Sequence, residues 1–121
     1  MQKESPSSVR IFYPKFDKEE LIQKIKKKIG ELVKELPLSL VVLFGSYAHE
    51  NNTVASDVDL LIVYRGKERK DAFAMVKKTL DIHLLEPHLY SEDEYERLRG
   101  IIDRMIADGV VLFSSKEAET T

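Results

Sequence analysis

Two short groups of residues could do chemistry together. In Leu43-Phe44-Gly45-Ser46-Tyr47-Ala48 a glycine and a serine follow an apolar run, and after ten further residues the chain reads Asp57-Val58-Asp59-Leu60-Leu61. A glycine-serine pair that leaves a strand and enters a helical turn offers backbone N–H groups and a hydroxyl to an anion. The glycine lets a phosphate approach the backbone closely. Asp57 and Asp59 alternate along a strand, so both carboxylates point to one face, about 6.6 Å apart along the backbone. They repel each other unless a cation lies between them, and oxygen ligands of this kind suit magnesium held jointly with a substrate's phosphates. A phosphate cradle beside such a cation site is the minimum apparatus for chemistry on a nucleotide.

The surrounding elements must bring these groups together. Asp17 with Glu20 forms a helix-start signal, followed by Ile22, Ile25, Ile29, Leu32, Val33 and Leu36 at helical spacing, and Pro37 ends the run. Leu40 to Phe44 reads as a strand buried on both faces and stopped by Gly45. Ser46 to Glu50 could form one helical turn before the turn-prone Asn51-Asn52. A second strand runs from Val58 to Tyr64. Arg69 to Leu80 reads as an amphipathic helix with Phe73, Val76 and Leu80 on one face, and Asp81 to Glu86 as a third strand ended by Pro87. Ser91 with Glu94 opens a last helix, with Tyr95, Leu98, Ile102, Met105 and Ile106 facing inward. Gly109 reads as its C-terminal cap and Val110 to Phe113 as a short fourth strand. The order predicts an α/β fold: a mixed sheet of three core strands plus a short fourth, with packed helices.

Geometry then draws the groups to one edge. Gly45-Ser46 ends the first strand and Asp57 starts the second, so they meet if these strands are antiparallel. The helix before the third strand suits a crossover to a parallel neighbour, which would put Asp81 beside Asp57 and Asp59. Three such carboxylates can hold two metal ions roughly 4 Å apart.

Gly45-Ser46 followed by Asp57-Val58-Asp59 resembles the signature of the DNA polymerase beta-like nucleotidyltransferase superfamily, and the small size looks like its minimal nucleotidyltransferase branch. The resemblance implies a magnesium-dependent transfer of a nucleoside monophosphate, AMP from ATP or its equivalent from another NTP, to a hydroxyl acceptor. Gly45 and Ser46 would hold the triphosphate. Asp57, Asp59 and Asp81 would be the metal-binding and catalytic residues. The family often reads Gly-Ser-x-Ala-Arg-Gly, whereas Ala48 here precedes His49 and Glu50. That loss of a cation beside the phosphates predicts less efficient turnover. Minimal nucleotidyltransferases also resemble the antitoxin of a two-gene pair whose partner is a helical HEPN-type ribonuclease. The chain would modify that partner with AMP, or, in the alternative, neutralise it by contact as a catalytically weak subunit.

The remaining residues restrict these readings. The 121 residues suit one domain, expected over 9–113 with disordered tails at 1–8 and 114–121, and leave little room for a separate acceptor-binding domain. The acceptor would then bind an open edge, a second copy in a homo-oligomer, or be the partner itself. With 19 basic and 21 acidic side chains, the charge argues against direct nucleic-acid binding. The absence of cysteine excludes disulfides and thiolate sites. The apolar runs are too short to cross a bilayer, and no signal peptide is apparent, so a cytoplasmic location is expected. His83 shares the face of Asp81 on the expected strand. His83 and His88 have a spacing seen in zinc sites, but Pro87 intervenes and no cysteine supports such a site. Ser46, Asp81 and His83 do not make a hydrolase triad, because the Gly-x-Ser-x-Gly elbow is missing. Lys24, Lys26, Lys27 and Lys28 read as the solvated face of the first helix.

Overall fold

The computed structural model describes residues 18–45 and 57–115. Asp17, the turn at 46–52 and nearly all of both expected tails lie outside the described residues. The elements are α1 (Lys18–Leu32), β1 (Leu38–Phe44), β2 (Val58–Tyr64), α2 (Ala72–Leu80), β3 (Leu85–Ser91), α3 (Glu92–Arg97), α4 (Arg99–Met105) and β4 (Val110–Ser114). They build a four-stranded mixed sheet in the order β3-β2-β1-β4, with helices packed on it. β1 is antiparallel to both β2 and β4, while β2 and β3 run parallel, as the crossover through α2 requires.

Side-chain alternation divides the sheet into two faces. Val41, Leu43, Leu60 and Ile62 point to one side. There they form a core with Leu21, Ile25, Ile29 and Leu32 of α1 and with Val76 and Leu80 of α2. Val42, Leu61 and Val63 point to the other side, against Ile102 of α4, with Phe44, Tyr90, Tyr95 and Met105 half-buried around them. Burial on both faces explains why β1 and β2 read as continuous apolar runs. No helix among the described residues is long and apolar enough to cross a membrane.

β2 has the bounds its pattern predicts, and the other elements depart from theirs for physical reasons. Val33 and Phe73, expected inward, are exposed: α1 ends at Leu32, and Phe73 falls off the inward stripe of Ala72, Val76 and Leu80. The expected last helix divides at Leu98 (φ −107°, ψ 16°) into α3 and α4, which leaves Leu98 exposed. The capping box is present, with Ser91 Oγ accepting from the Glu94 N–H and Glu94 Oε1 accepting from the Ser91 N–H. Gly109 does not take the left-handed cap conformation. Its lack of a side chain permits a close approach, since a Cβ there would stand 2.6 Å from Val42 Cγ1 and 2.9 Å from the Leu43 oxygen.

The third strand requires the largest correction. Asp81 is not on a strand. It caps α2 in the left-handed region (φ 47°, ψ 55°), its N–H bonded to the Lys77 oxygen at 3.0 Å. Asp tolerates this conformation better than most residues. Ile82 and His83 lie in the following turn, Leu84 is also left-handed (φ 61°), and the strand starts at Leu85. Pro87 does not end the strand but sits within it, because β3 is an edge strand, where a missing N–H is tolerated.

Candidate active site

The site lies where the end of β1 meets the starts of β2 and β3. Phe44 of β1 pairs with Asp59 of β2, and Asp59 pairs with Glu86 of β3. Across-strand partners share a face, so Phe44, Asp59 and Glu86 form one row on the face that carries α4. Asp57 precedes β2 by one residue, is exposed, and alternates with Asp59 toward that face. The Val58 N–H donates to the Leu84 oxygen at 2.8 Å and ties the two strand starts together.

Gly45 and Asp59 meet as their antiparallel strands predict. Gly45 has φ +81°, and a Cβ built on it would lie 2.5 Å from Asp59 Oδ2. The backbone conformation and the packed carboxylate therefore both require glycine at this position. The other oxygen, Oδ1, faces His88 Nε2 at 3.3 Å. The His88 ring is tilted against Phe44, with centroids 5.0 Å apart. Asp59 and His88 are both partly exposed, so the carboxylate is supported by the protein on one side and open to solvent on another.

Of the expected site residues, the structure brings together Gly45 and Asp59, with Asp57 beside them at the start of β2. Ser46, His49 and Glu50 lie outside the described residues. Asp81 is exposed at the end of α2, three residues before the Leu84–Val58 contact, and the strand position facing Asp59 belongs to Glu86. The sequence pattern gave Glu86 no role and weighed His88 only as a zinc ligand with His83, although the chain carries the carboxylate-x-histidine spacing twice, as Asp81-Ile82-His83 and as Glu86-Pro87-His88. The cap at Ser91 could have separated them. Counting back seven residues from it, the length of β2, starts the strand at Leu85.

A magnesium ion fits this donor set only in part. Among the described residues, no three His, Asp or Glu side chains gather closely enough to hold a metal ion by themselves. Asp57 and Asp59 are hard oxygen donors at an open edge, the arrangement in which magnesium completes its shell with water and substrate phosphates.

The nucleotidyltransferase domain family matches residues 11–112, and the chain belongs to that family. A Sulfolobus solfataricus protein assigned as a nucleotidyltransferase is similar in structure, with TM-score 0.59 and 22% identity over 82% of this chain and 85% of that one. A chain of a toxin–antitoxin complex with AMP-PNP matches with TM-score 0.53 and 20% identity, over 78% and 77% of the two chains. Both likenesses are those of a shared fold. A complex of tri-AMPylated Shewanella oneidensis HEPN toxin with MNT antitoxin gives TM-score 0.49 and 20% identity, over 82% and 77%. No curated protein matches the chain significantly.

Proposed function

We propose that the chain is a metal-dependent nucleotidyltransferase that moves AMP from ATP to a hydroxyl on a protein partner of helical HEPN type. The observation that carries this reading is the packing of Asp59 on the left-handed Gly45, which sets the carboxylate we assign to the metal against the glycine we assign to the phosphates. Gly45 and Ser46 receive the β- and γ-phosphates, Asp57 and Asp59 provide metal ligands, and Glu86 takes the third carboxylate position in place of Asp81. In the reaction the acceptor oxygen bonds to the α-phosphorus as the bond to the bridging oxygen breaks, and pyrophosphate leaves. The acceptor's proton passes to a carboxylate at the edge, for which Glu86 is exposed and in register. When bound, magnesium supplies charge neutralisation and lowers the pKa of the acceptor hydroxyl. The protein's own part is to position the reacting groups, since phosphoryl chemistry depends on alignment and electrostatics.

A shared fold with a chain from a toxin–antitoxin complex with AMP-PNP supports both a nucleotide and a partner protein as ligands. The replacement of Arg-Gly by His49-Glu50 favours the second reading, neutralisation by contact alone. Titration calorimetry with AMP-PNP and magnesium tests the first. The wild type is expected to bind, and Asp57→Ala/Asp59→Ala to bind at least tenfold more weakly, a loss of about 1.4 kcal/mol. Equal binding by both would refute the nucleotidyltransferase reading. Mass spectrometry of a co-expressed partner then separates the two readings. Transfer predicts an AMP adduct that requires Asp57 and Asp59, whereas contact predicts neutralisation without one.

A further inference from the structure

The far end of β2 carries a second concavity. Asp59 stands near the start of this strand and Tyr64 at its end, about 17 Å further along the backbone. There Tyr64, Lys70, Phe73 and Leu89 line a cavity of about 330 Å³ at the carboxyl ends of the parallel strands β2 and β3. We propose that this cavity and the loop 65–71 beside it bind single-stranded nucleic acid, with one base against Phe73 and the adjoining phosphates on Arg65, Lys67 and Lys70. The proposal is independent of the nucleotidyltransferase reading, whose residues lie at the opposite end of the strand.

Positive charge gathers on the loop. Residues 65–71 hold Arg65, Lys67, Arg69 and Lys70 against Glu68 and Asp71. Asp71 is engaged by Arg69, whose Nε and Nη2 donate to it at 3.1 and 2.9 Å. The other acid in the lining, Glu94, accepts the Ser91 N–H in the cap of α3. Arg65, Lys67 and Lys70, all exposed, therefore outweigh Glu68 at this edge. The near balance of charge over the whole chain argues against a general nucleic-acid surface and sets no limit on one loop, because a ligand responds to the local field.

An aromatic ring lies open beside these cations. Phe73 is 53% exposed in the first turn of α2, although Ala72 and Val76 of the same helix are buried. A base stacked on the ring recovers apolar contact that the fold does not supply, and any base can do so. The cavity lies near the lower end of the roughly 300–1,000 Å³ range of small-ligand sites, which suits one base better than a larger ligand. Arg65 and Lys67 stand outside its lining, so the cationic surface continues past the first nucleotide, as a polynucleotide requires and a free nucleotide does not.

The loop is also fixed before any ligand arrives. The Arg69 N–H donates to the Tyr64 hydroxyl at 3.0 Å, and Arg69 Nη1 donates to the Glu35 oxygen at 3.2 Å. These bonds tie the loop to the end of β2 and to the turn after α1, so it loses little freedom on binding.

The test uses the full chain with EDTA and a fluorescently labelled octauridylate RNA, read by anisotropy across a range of salt. The wild type is expected to bind at low salt and to weaken as salt is added. Phe73→Ala should bind about tenfold more weakly and leave AMP-PNP binding unchanged. Lys67→Gln/Lys70→Gln should reduce the slope of log affinity against log salt by about 0.7 for each lysine. Absence of binding by the wild type at low salt overturns the proposal, as does unchanged affinity in Phe73→Ala or an unchanged salt slope in the lysine variant. Equal affinity for free UMP and for the octamer also overturns it, since the site would then take a single nucleotide. Ultraviolet cross-linking of the wild type to the octamer decides the location without any variant: cross-links are expected within residues 64–73, and cross-links confined to other residues overturn the assignment. Each of these failures leaves the nucleotidyltransferase reading standing, because that reading depends on AMP-PNP and magnesium at Asp57 and Asp59.

Discussion

The two faces of the sheet differ in depth. Among the described residues, eighteen buried side chains form one cluster under α1 and α2, with Ile25, Leu32, Leu43, Leu60 and Leu80 fully excluded from water. Under α3 and α4 the buried cluster among the described residues is Val42, Leu61, Val63 and Ile102, and its neighbours are partly exposed. The candidate site belongs to the shallow face. Carboxylates and an imidazole can stand at its margin without the desolvation cost that a deep core would impose. The deep face supplies stability, and the shallow face leaves room for polar chemistry and an open edge.

The sharpest way to break this comparison is to remove equivalent side chains from each face. Ile25→Ala should cost about 4 kcal/mol, and Ile102→Ala about 2 kcal/mol, because Met105 and Tyr95 can shift into a space that lies near solvent. Urea titration of both variants measures the difference. Equal losses would mean that the two faces are equally rigid.

Gly45→Ala should affect the site more than the fold. The left-handed backbone costs about 1–2 kcal/mol. The new methyl group also displaces Asp59, and misplacing a catalytic group can reduce a rate by about a hundredfold. Thermal melting and nucleotide transfer, measured on one preparation, separate the two effects. A stability loss with unchanged AMP-PNP binding and transfer would show that Asp59 does not need its present position.

The smallest effect is expected at Ser91, whose hydroxyl caps α3. Ser91→Ala should lose about 1 kcal/mol. Because β3 runs directly into that cap, the loss should come with faster hydrogen exchange in α3 and little change in α1. Faster exchange in α1 as well would show that the two faces unfold together.

How far each part was legible depended on how local its cause is. β2 could be placed from about Val58 to Tyr64, because Leu60 to Tyr64 is an unbroken apolar run buried on both faces and Val58 continues its alternation past Asp59. The meeting of Gly45 with Asp59 was legible too, since it needs only two adjacent antiparallel strands. β3 was not. Its two carboxylate-x-histidine pairs look alike in one dimension, and Pro87 signals a strand end unless the strand is known to lie at an edge. The undivided helix from Ser91 to Ile106 was another natural reading, since its apolar spacing runs on through Leu98 and Gly100 is the single weak sign of a break.

By itself, the amino-acid sequence determined the α/β class, the two central strands, the capped start of α3, and the pairing of a glycine turn with an Asp-x-Asp strand. Each follows from short-range causes: burial pattern, side-chain capping and backbone freedom. Only the tertiary structure decided that Glu86 and His88, rather than Asp81 and His83, stand beside Asp59. That choice rests on the register between β2 and β3. Register depends on where α2 stops and on β3 being an edge strand, and both are properties of the assembled sheet.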